Sequence, residues 1–129
     1  VLYTSAESHY SIPKNAALMG VGREHVRFIE VDRFGKMKPS ALAEQIATDL
    51  ADGFHPFFVN ATAGTTVLGA FDAIEPLADI CHKHNLWLHV DGAYCGSVIF
   101  SKTYKHLVSG LERADSFSVN AHKIFTPFV

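Results

Sequence analysis

The sequence has little of what marks several specialised classes of protein. It has two cysteines, Cys81 and Cys95, in 129 residues, too few for a disulfide framework, and their spacing matches no common zinc motif. With 11 Lys and Arg against 13 Asp and Glu, it has no excess of positive charge for a phosphate backbone or an anionic membrane surface. No apolar run approaches the roughly 18 residues that span a bilayer. We therefore expect no nucleic-acid or membrane partner, and a cytoplasmic location.

What is present suits a packed globular domain. The hydrophobic share is 48% and the charged share is 19%, which is enough to form a core, and 129 residues are the length of one domain. The chain opens with Val1 rather than methionine and runs at once into an apolar, strand-like stretch. We therefore expect residues 1–129 to be a fragment of one domain of a longer protein.

Short β-rich runs alternate with longer segments of helical period along the chain, which is typical of βαβ units around a parallel sheet. The predicted strands are Val1–Ser5, Val26–Val31, Phe57–Thr62, Leu86–Asp91 and Ser116–Asn120. The predicted helices are Ile12–Met19, Pro39–Leu50, Phe71–Asn85 and Tyr104–Leu111. Asp72 is placed to cap the third helix. The predicted fold class is α/β, with a mainly parallel sheet flanked by helices.

Polar residues follow four of the predicted strands, and parallel strands place their carboxyl ends on one edge of the sheet. A lysine there, Lys123, and a carboxylate ending another strand, Asp91, suit pyridoxal phosphate. The amine can bind the aldehyde as a Schiff base, and the carboxylate can keep the pyridine nitrogen protonated. His9 can cover one face of the ring, and the small Ala93 can let the other face approach the protein.

Taken singly, these residues have ordinary structural explanations. His9 alone would be a surface residue near a helix start, Asp91 a strand-end cap, and Lys123 a solvated lysine. Only their joint pattern favours a cofactor site. A metal site is not predicted, because His82 and His84 lie two residues apart near a helix end and point in different directions.

Four segments, in order along the chain, resemble the signature segments of the group II pyridoxal-dependent decarboxylases. They are Ser8-His9-Tyr10-Ser11, Asn60-Ala61-Thr62-Ala63-Gly64-Thr65-Thr66, His89-Val90-Asp91-Gly92-Ala93 and Asn120-Ala121-His122-Lys123. That family includes glutamate, cysteine sulfinate, aspartate, histidine and aromatic amino acid decarboxylases. The resemblance implies the large, cofactor-binding domain of a fold type I, aspartate aminotransferase-like, pyridoxal phosphate enzyme. A preceding segment and a smaller C-terminal domain would then lie outside the chain.

The resemblance also implies a role for individual residues. Lys123 matches the Schiff-base lysine, Asp91 the partner of the pyridine nitrogen, and His9 the ring stacked on the cofactor, so these three would be catalytic. Ala93 would pack on the opposite face of the ring. Two further cofactor-binding matches are Thr66, beside the cofactor in the family, and His122, which precedes the lysine.

Within the family, the sequence most resembles the glutamate and cysteine sulfinate decarboxylase branch. The resemblance implies α-decarboxylation of an acidic L-amino acid by a homodimer, with glutamate to 4-aminobutyrate as the first expectation. Aspartate or cysteine sulfinate decarboxylation, another pyridoxal phosphate-dependent lyase reaction, and a non-catalytic fragment remain open. The fragment alone is expected to be inactive. Gly92 departs from the family, which usually has alanine there.

Overall fold

Five strands form one sheet in the computed structural model, which describes residues 1–123 of the chain. The strands are β1 (Leu2–Ser5), β2 (Val26–Ile29), β3 (Phe58–Thr62), β4 (Trp87–Gly92) and β5 (Ser116–Val119). Their order is β2-β1-β3-β4-β5, and all four pairings are parallel. The predicted parallel α/β sheet is therefore confirmed. The second strand is shorter than predicted, because Val31 forms an isolated antiparallel bridge with Met37 instead.

In the described part of the chain, three α-helices connect the successive strands from β1 to β4, and short 3₁₀ helices connect β4 to β5. They are α1 (Ser11–Leu18), α2 (Pro39–Ala51) and α3 (Ile74–His84). Proline suits the start of α2 because the first turn of a helix needs no amide hydrogen for an internal bond. The last turn of α3 is followed by Asn85 in the left-handed conformation, with φ of 52°, which ends that helix.

Two sequence predictions about the helices are wrong. Residues Tyr104–Leu111 do not form an α-helix; short 3₁₀ helices occupy Lys105–Val108 and Leu111–Arg113. Only Val108 of the first is buried, so the segment has no apolar face to pack as a longer helix.

Asp72 does not cap α3, whose N-cap residue is Ala73, with no side-chain cap. The Asp72 side chain is buried and accepts two backbone hydrogen bonds from other segments. The amide of Met37 donates to Oδ1 at 2.6 Å, and the amide of Thr62 donates to Oδ2 at 2.7 Å. Asp72 therefore ties the end of β3 to the segment before α2.

The two faces of the sheet are buried to different extents, and this positions the functional site. One face packs its apolar side chains, such as Leu88 and Val90, against Leu42 of α2 and Leu77 of α3. On the other face, α1 covers Leu2 and Val26 through Ala16. The alternating side chains of β4 that point to this second face, Trp87, His89 and Asp91, are only partly buried or exposed. Within residues 1–123, no helix is long and apolar enough to cross a bilayer.

Candidate active site

A cavity of about 340 Å³ lies at the carboxyl ends of the strands. Its lining includes five of the six site residues expected from the sequence: His9, Thr66, Asp91, Ala93 and Lys123. The sixth, His122, is exposed and is not part of this lining. The volume falls in the range of small-molecule sites. Residues from opposite ends of the described chain therefore meet in one place.

Each of these side chains reaches the cavity because a parallel strand ends beside it. His9 follows β1, Thr66 follows β3, Asp91 lies near the end of β4, and Lys123 follows β5. Parallel pairing places all these ends on one edge of the sheet, which is where α/β proteins bind ligands. The site is thus a consequence of the sheet topology.

Asp91 lies between two hydroxyl-bearing residues of the neighbouring strands. The register pairs it with Thr62 of β3 on one side and Ser118 of β5 on the other. Its Oδ1 accepts hydrogen bonds from the Ala93 amide at 3.0 Å and from the Ser118 hydroxyl at 3.2 Å. The carboxylate is half-buried. It is therefore fixed in place by the strand pair while remaining accessible from the cavity.

The His9 ring is exposed at the cavity and is oriented by Ser11. The Ser11 amide donates to His9 Nδ1 at 3.3 Å, and the Ser11 hydroxyl lies 2.9 Å from the same nitrogen. Because Nδ1 accepts the amide hydrogen, the proton of the neutral imidazole is on Nε2. His9 thus presents an aromatic ring of defined tautomer to the cavity.

The loop after β3 is held close to the segment that follows β4. Gly64 has φ of +89°, and a Cβ there would collide with the side chain of Cys95, so only glycine fits this approach. Thr65 is buried, and its hydroxyl accepts the Ala70 amide at 3.0 Å. Thr66, the next residue, is exposed and lines the cavity. The first threonine therefore closes the loop, and the second faces the cavity.

His89 is a cavity residue to which the sequence reasoning gave no role. It is half-buried, and its ring stacks on Phe58 with 6.1 Å between the ring centroids. Its Nδ1 lies 2.8 Å from Ser116 Oγ, which also accepts the Trp87 indole N–H at 2.8 Å. Burial lowers the pKa of His89, and the negative charge of Asp91 opposes that shift. The sequence does indicate that His89 shares a face with Asp91, because residues two apart on a strand point to the same side.

Thr62 and Ser118 also line the cavity and were missed by the sequence reasoning. Thr62 is buried, and within the described part of the chain its Oγ1 has no hydrogen-bond partner. A buried hydroxyl at the wall of a cavity can take its partner from a bound ligand or from water. Both residues are directly opposite Asp91, a relation that only the strand register reveals. Among residues 1–123 there is no group of three or more His, Cys, Asp or Glu side chains suited to a metal ion.

The comparisons with known proteins agree on one family. Residues 1–127 match the sequence model described as "Pyridoxal-dependent decarboxylase conserved domain". The chain is 54% identical over 123 residues to human cysteine sulfinic acid decarboxylase, which covers 95% of this chain and 25% of that protein. It is 49% identical over 124 residues to human acidic amino acid decarboxylase GADL1, covering 96% of this chain and 24% of that protein.

Solved structures give the same result. The crystal structure of mouse CSAD in its apo form superposes with a TM-score of 0.96 at 50% identity, covering 97% of this chain and 26% of that one. The chain thus spans about a quarter of the length of the relatives it matches.

Proposed function

The chain belongs to the pyridoxal-dependent decarboxylase family, and we propose that the protein carrying it removes the α-carboxylate of an acidic L-amino acid with pyridoxal phosphate. The observation that carries this proposal is the meeting of Asp91 and Lys123 at one cavity. Cysteine sulfinate is the first substrate to test, since relatives at 51% to 54% identity are cysteine sulfinic acid decarboxylases. Glutamate, the first expectation from the sequence, and aspartate remain candidates.

The residues lining the cavity fit the cofactor. Lys123 offers an amine and Asp91 a carboxylate, which are the two groups that pyridoxal phosphate needs from a protein. Among residues 1–123, both hydrogen-bond donors to Asp91 reach Oδ1, so Oδ2 is the oxygen that a ring N–H would meet. The Thr62 hydroxyl, which has no partner among residues 1–123, adds a buried polar atom that can hydrogen-bond to a bound ligand.

When bound, pyridoxal phosphate supplies a protonated ring that accepts the electron pair released as carbon dioxide leaves. In our assignment the Asp91 carboxylate holds the proton on the ring nitrogen, and Lys123 anchors the cofactor through Nζ. The exposed His9 ring would cover one face of the cofactor ring, and the small Ala93 side chain would leave room for the other. Thr66 contributes a hydroxyl at the cavity. A contact of His122 with the cofactor stays a prediction, because its side chain lies outside the lining.

The proposal is tested by the absorption spectrum of the whole protein with pyridoxal phosphate. We expect a visible cofactor band that Lys123→Ala abolishes and that Lys102→Ala, which replaces an exposed lysine outside the cavity, retains. Borohydride reduction followed by peptide mapping should place the cofactor on the Lys123 peptide. A band that survives Lys123→Ala, or label on another peptide, would refute the assignment.

Product analysis with cysteine sulfinate, aspartate and glutamate identifies the substrate and the bond that breaks. Release of carbon dioxide with the corresponding amine supports α-decarboxylation. Release of sulfite or ammonia without carbon dioxide would indicate a different lyase reaction and contradict the proposed one.

We further propose, from the family resemblance, a cytoplasmic homodimer in which residues 1–129 are part of the large cofactor-binding domain. Two exposed apolar residues directly after Thr66 support a covering partner: Val67 is 87% exposed and Leu68 is 56% exposed. Light scattering on the whole protein should give twice the subunit mass. Residues 1–129 produced alone should show no turnover, and measurable turnover would contradict this arrangement.

A further inference from the structure

Among residues 1–123, the two hydrogen-bond donors to the Asp91 carboxylate reach the same oxygen. Oδ1 accepts the Ala93 amide at 3.0 Å and the Ser118 hydroxyl at 3.2 Å. Both donors are neutral, so neither replaces the cationic partner that a carboxylate in a ligand site can bind. Oδ2 is thereby the oxygen available to a protonated group in the cavity.

The strand pair dictates the position of Ser118. Ser118 is directly opposite Asp91 in the parallel register of β4 and β5, and both side chains contribute to the same cavity. Serine has a short side chain, so forming this hydrogen bond costs little rotamer entropy. The amide of Ala93 alone would fix the position of Oδ1. The second donor, arriving from another strand, also restrains rotation of the carboxylate about its Cβ–Cγ bond.

We propose that Ser118 is a positioning residue that fixes the rotation of the Asp91 carboxylate so that Oδ2 meets the ring nitrogen of the cofactor. This inference rests on the proposed function, because it requires a cofactor whose ring nitrogen bonds to Asp91. Ser118 acts through Asp91 and is not assigned a contact with the reacting atoms. Without the hydroxyl, Asp91 is still present but less restrained, so it holds the ring proton in a smaller fraction of the molecules.

The variants separate this role from a general contribution to the strand. Ser118→Ala removes the hydroxyl, and Ser118→Thr keeps a hydroxyl on a residue that suits strands. Ser116→Ala is the matched control, because Ser116 lies two residues earlier on the same strand and its hydroxyl contacts Trp87 and His89 rather than Asp91. Asp91→Asn is the reference for complete loss of the carboxylate.

Two measurements on the whole protein report on the ring nitrogen. The first is the dissociation constant of pyridoxal phosphate, from titration of the cofactor-free protein. The second is the ¹⁵N chemical shift of the ring nitrogen in ¹⁵N-labelled cofactor, which reports its protonation. The Ser118–Asp91 hydrogen bond forms without the cofactor, so only part of its strength can affect cofactor binding. We therefore expect the dissociation constant to rise about threefold to tenfold in Ser118→Ala, and the ¹⁵N shift to move toward the unprotonated value. Ser118→Thr and Ser116→Ala should stay within about twofold of the parent.

The outcomes distinguish this inference from the proposed function. If Asp91→Asn changes both readouts but Ser118→Ala matches Ser116→Ala, the role of Ser118 is refuted and the proposed function stands. If the parent protein binds no pyridoxal phosphate, or Asp91→Asn changes neither readout, the proposed function fails. Thermal unfolding of the cofactor-free proteins checks that the serine variants are equally folded. If Ser118→Ala does not fold, Ser118→Cys, a weaker donor of similar size, should show the same shift.

Discussion

Replacing Asp72 by alanine should remove the hydrogen-bond acceptor of two buried backbone amides, those of Met37 and Thr62. The Asp72 carboxylate is 2% exposed and accepts the Met37 amide at 2.6 Å and the Thr62 amide at 2.7 Å. A hydrogen bond to a charged group contributes about 1.5–3 kcal/mol, so two contribute about 3–6 kcal/mol. Burial raises the pKa of Asp72, because desolvation disfavours the carboxylate, and removing the charge recovers part of the loss. We expect a net destabilisation of about 2–4 kcal/mol.

Native-state hydrogen exchange in the whole protein measures this effect where it arises. In Asp72→Ala, the amides of Met37 and Thr62 should exchange about 30-fold to 700-fold faster, which is the factor that corresponds to about 2–4 kcal/mol. Asp115→Ala is a suitable control, since its carboxylate also accepts a backbone amide, that of Leu88 at 2.7 Å, but contacts neither the turn before Met37 nor the end of β3. It should leave the two reporter amides unchanged. Exchange within about threefold of the parent in Asp72→Ala would refute the reasoning.

Two further changes have clear expected outcomes. Gly92→Ala should lower the thermal unfolding midpoint, with a cost of about 1–3 kcal/mol, because its Cβ would meet the Phe117 ring and the Gly96 backbone. Phe117→Leu in the same chain should relieve the part of this cost that comes from the ring. If the changes in the free energy of unfolding caused by Gly92→Ala and Phe117→Leu simply add, the inferred contact between the new Cβ and the Phe117 ring is wrong. His89→Asn should make the unfolding midpoint fall less steeply as the pH is lowered. Burial lowers the pKa of His89 from 6.5, so its neutral ring stabilises the fold above about pH 6.5, and this contribution disappears as the pH falls through the lowered value. The check is to measure the unfolding midpoint against pH for the parent and for His89→Asn. Parallel curves for the two proteins would contradict a role of His89 in acid stability.

The sheet and the meeting of its polar strand ends could be predicted from the sequence, because both follow from local patterns. A parallel sheet needs only strands that are apolar enough for burial and helices between them, and it brings residues such as His9 and Lys123 to one edge whatever the details. The family motifs then gave these residues their expected roles.

The errors and omissions came from contacts between segments distant in the sequence. Asp72 was placed beside a helix start, where capping is common, but its partners are the backbone amides of Met37 and Thr62. Likewise, nothing in the sequence states that Ser118 is opposite Asp91, because the register depends on how β4 and β5 align. The local pattern at Tyr104–Leu111 also predicted an α-helix that does not form, because too few side chains there are buried to stabilise it.

The order of the strands in the sheet has a consequence for how the protein is made. Synthesis proceeds from the N-terminus, so β1 to β4 can pair before β5 has left the ribosome, and the growing chain then presents the edge of β4 unpaired. Addition of β5 covers that edge and delivers Lys123 to the cavity in the same event. A ligand that needs Lys123 can therefore stabilise only chains that have completed this edge. Cofactor present during translation would therefore stabilise, at a late stage of synthesis, only those chains in which β5 has paired with β4.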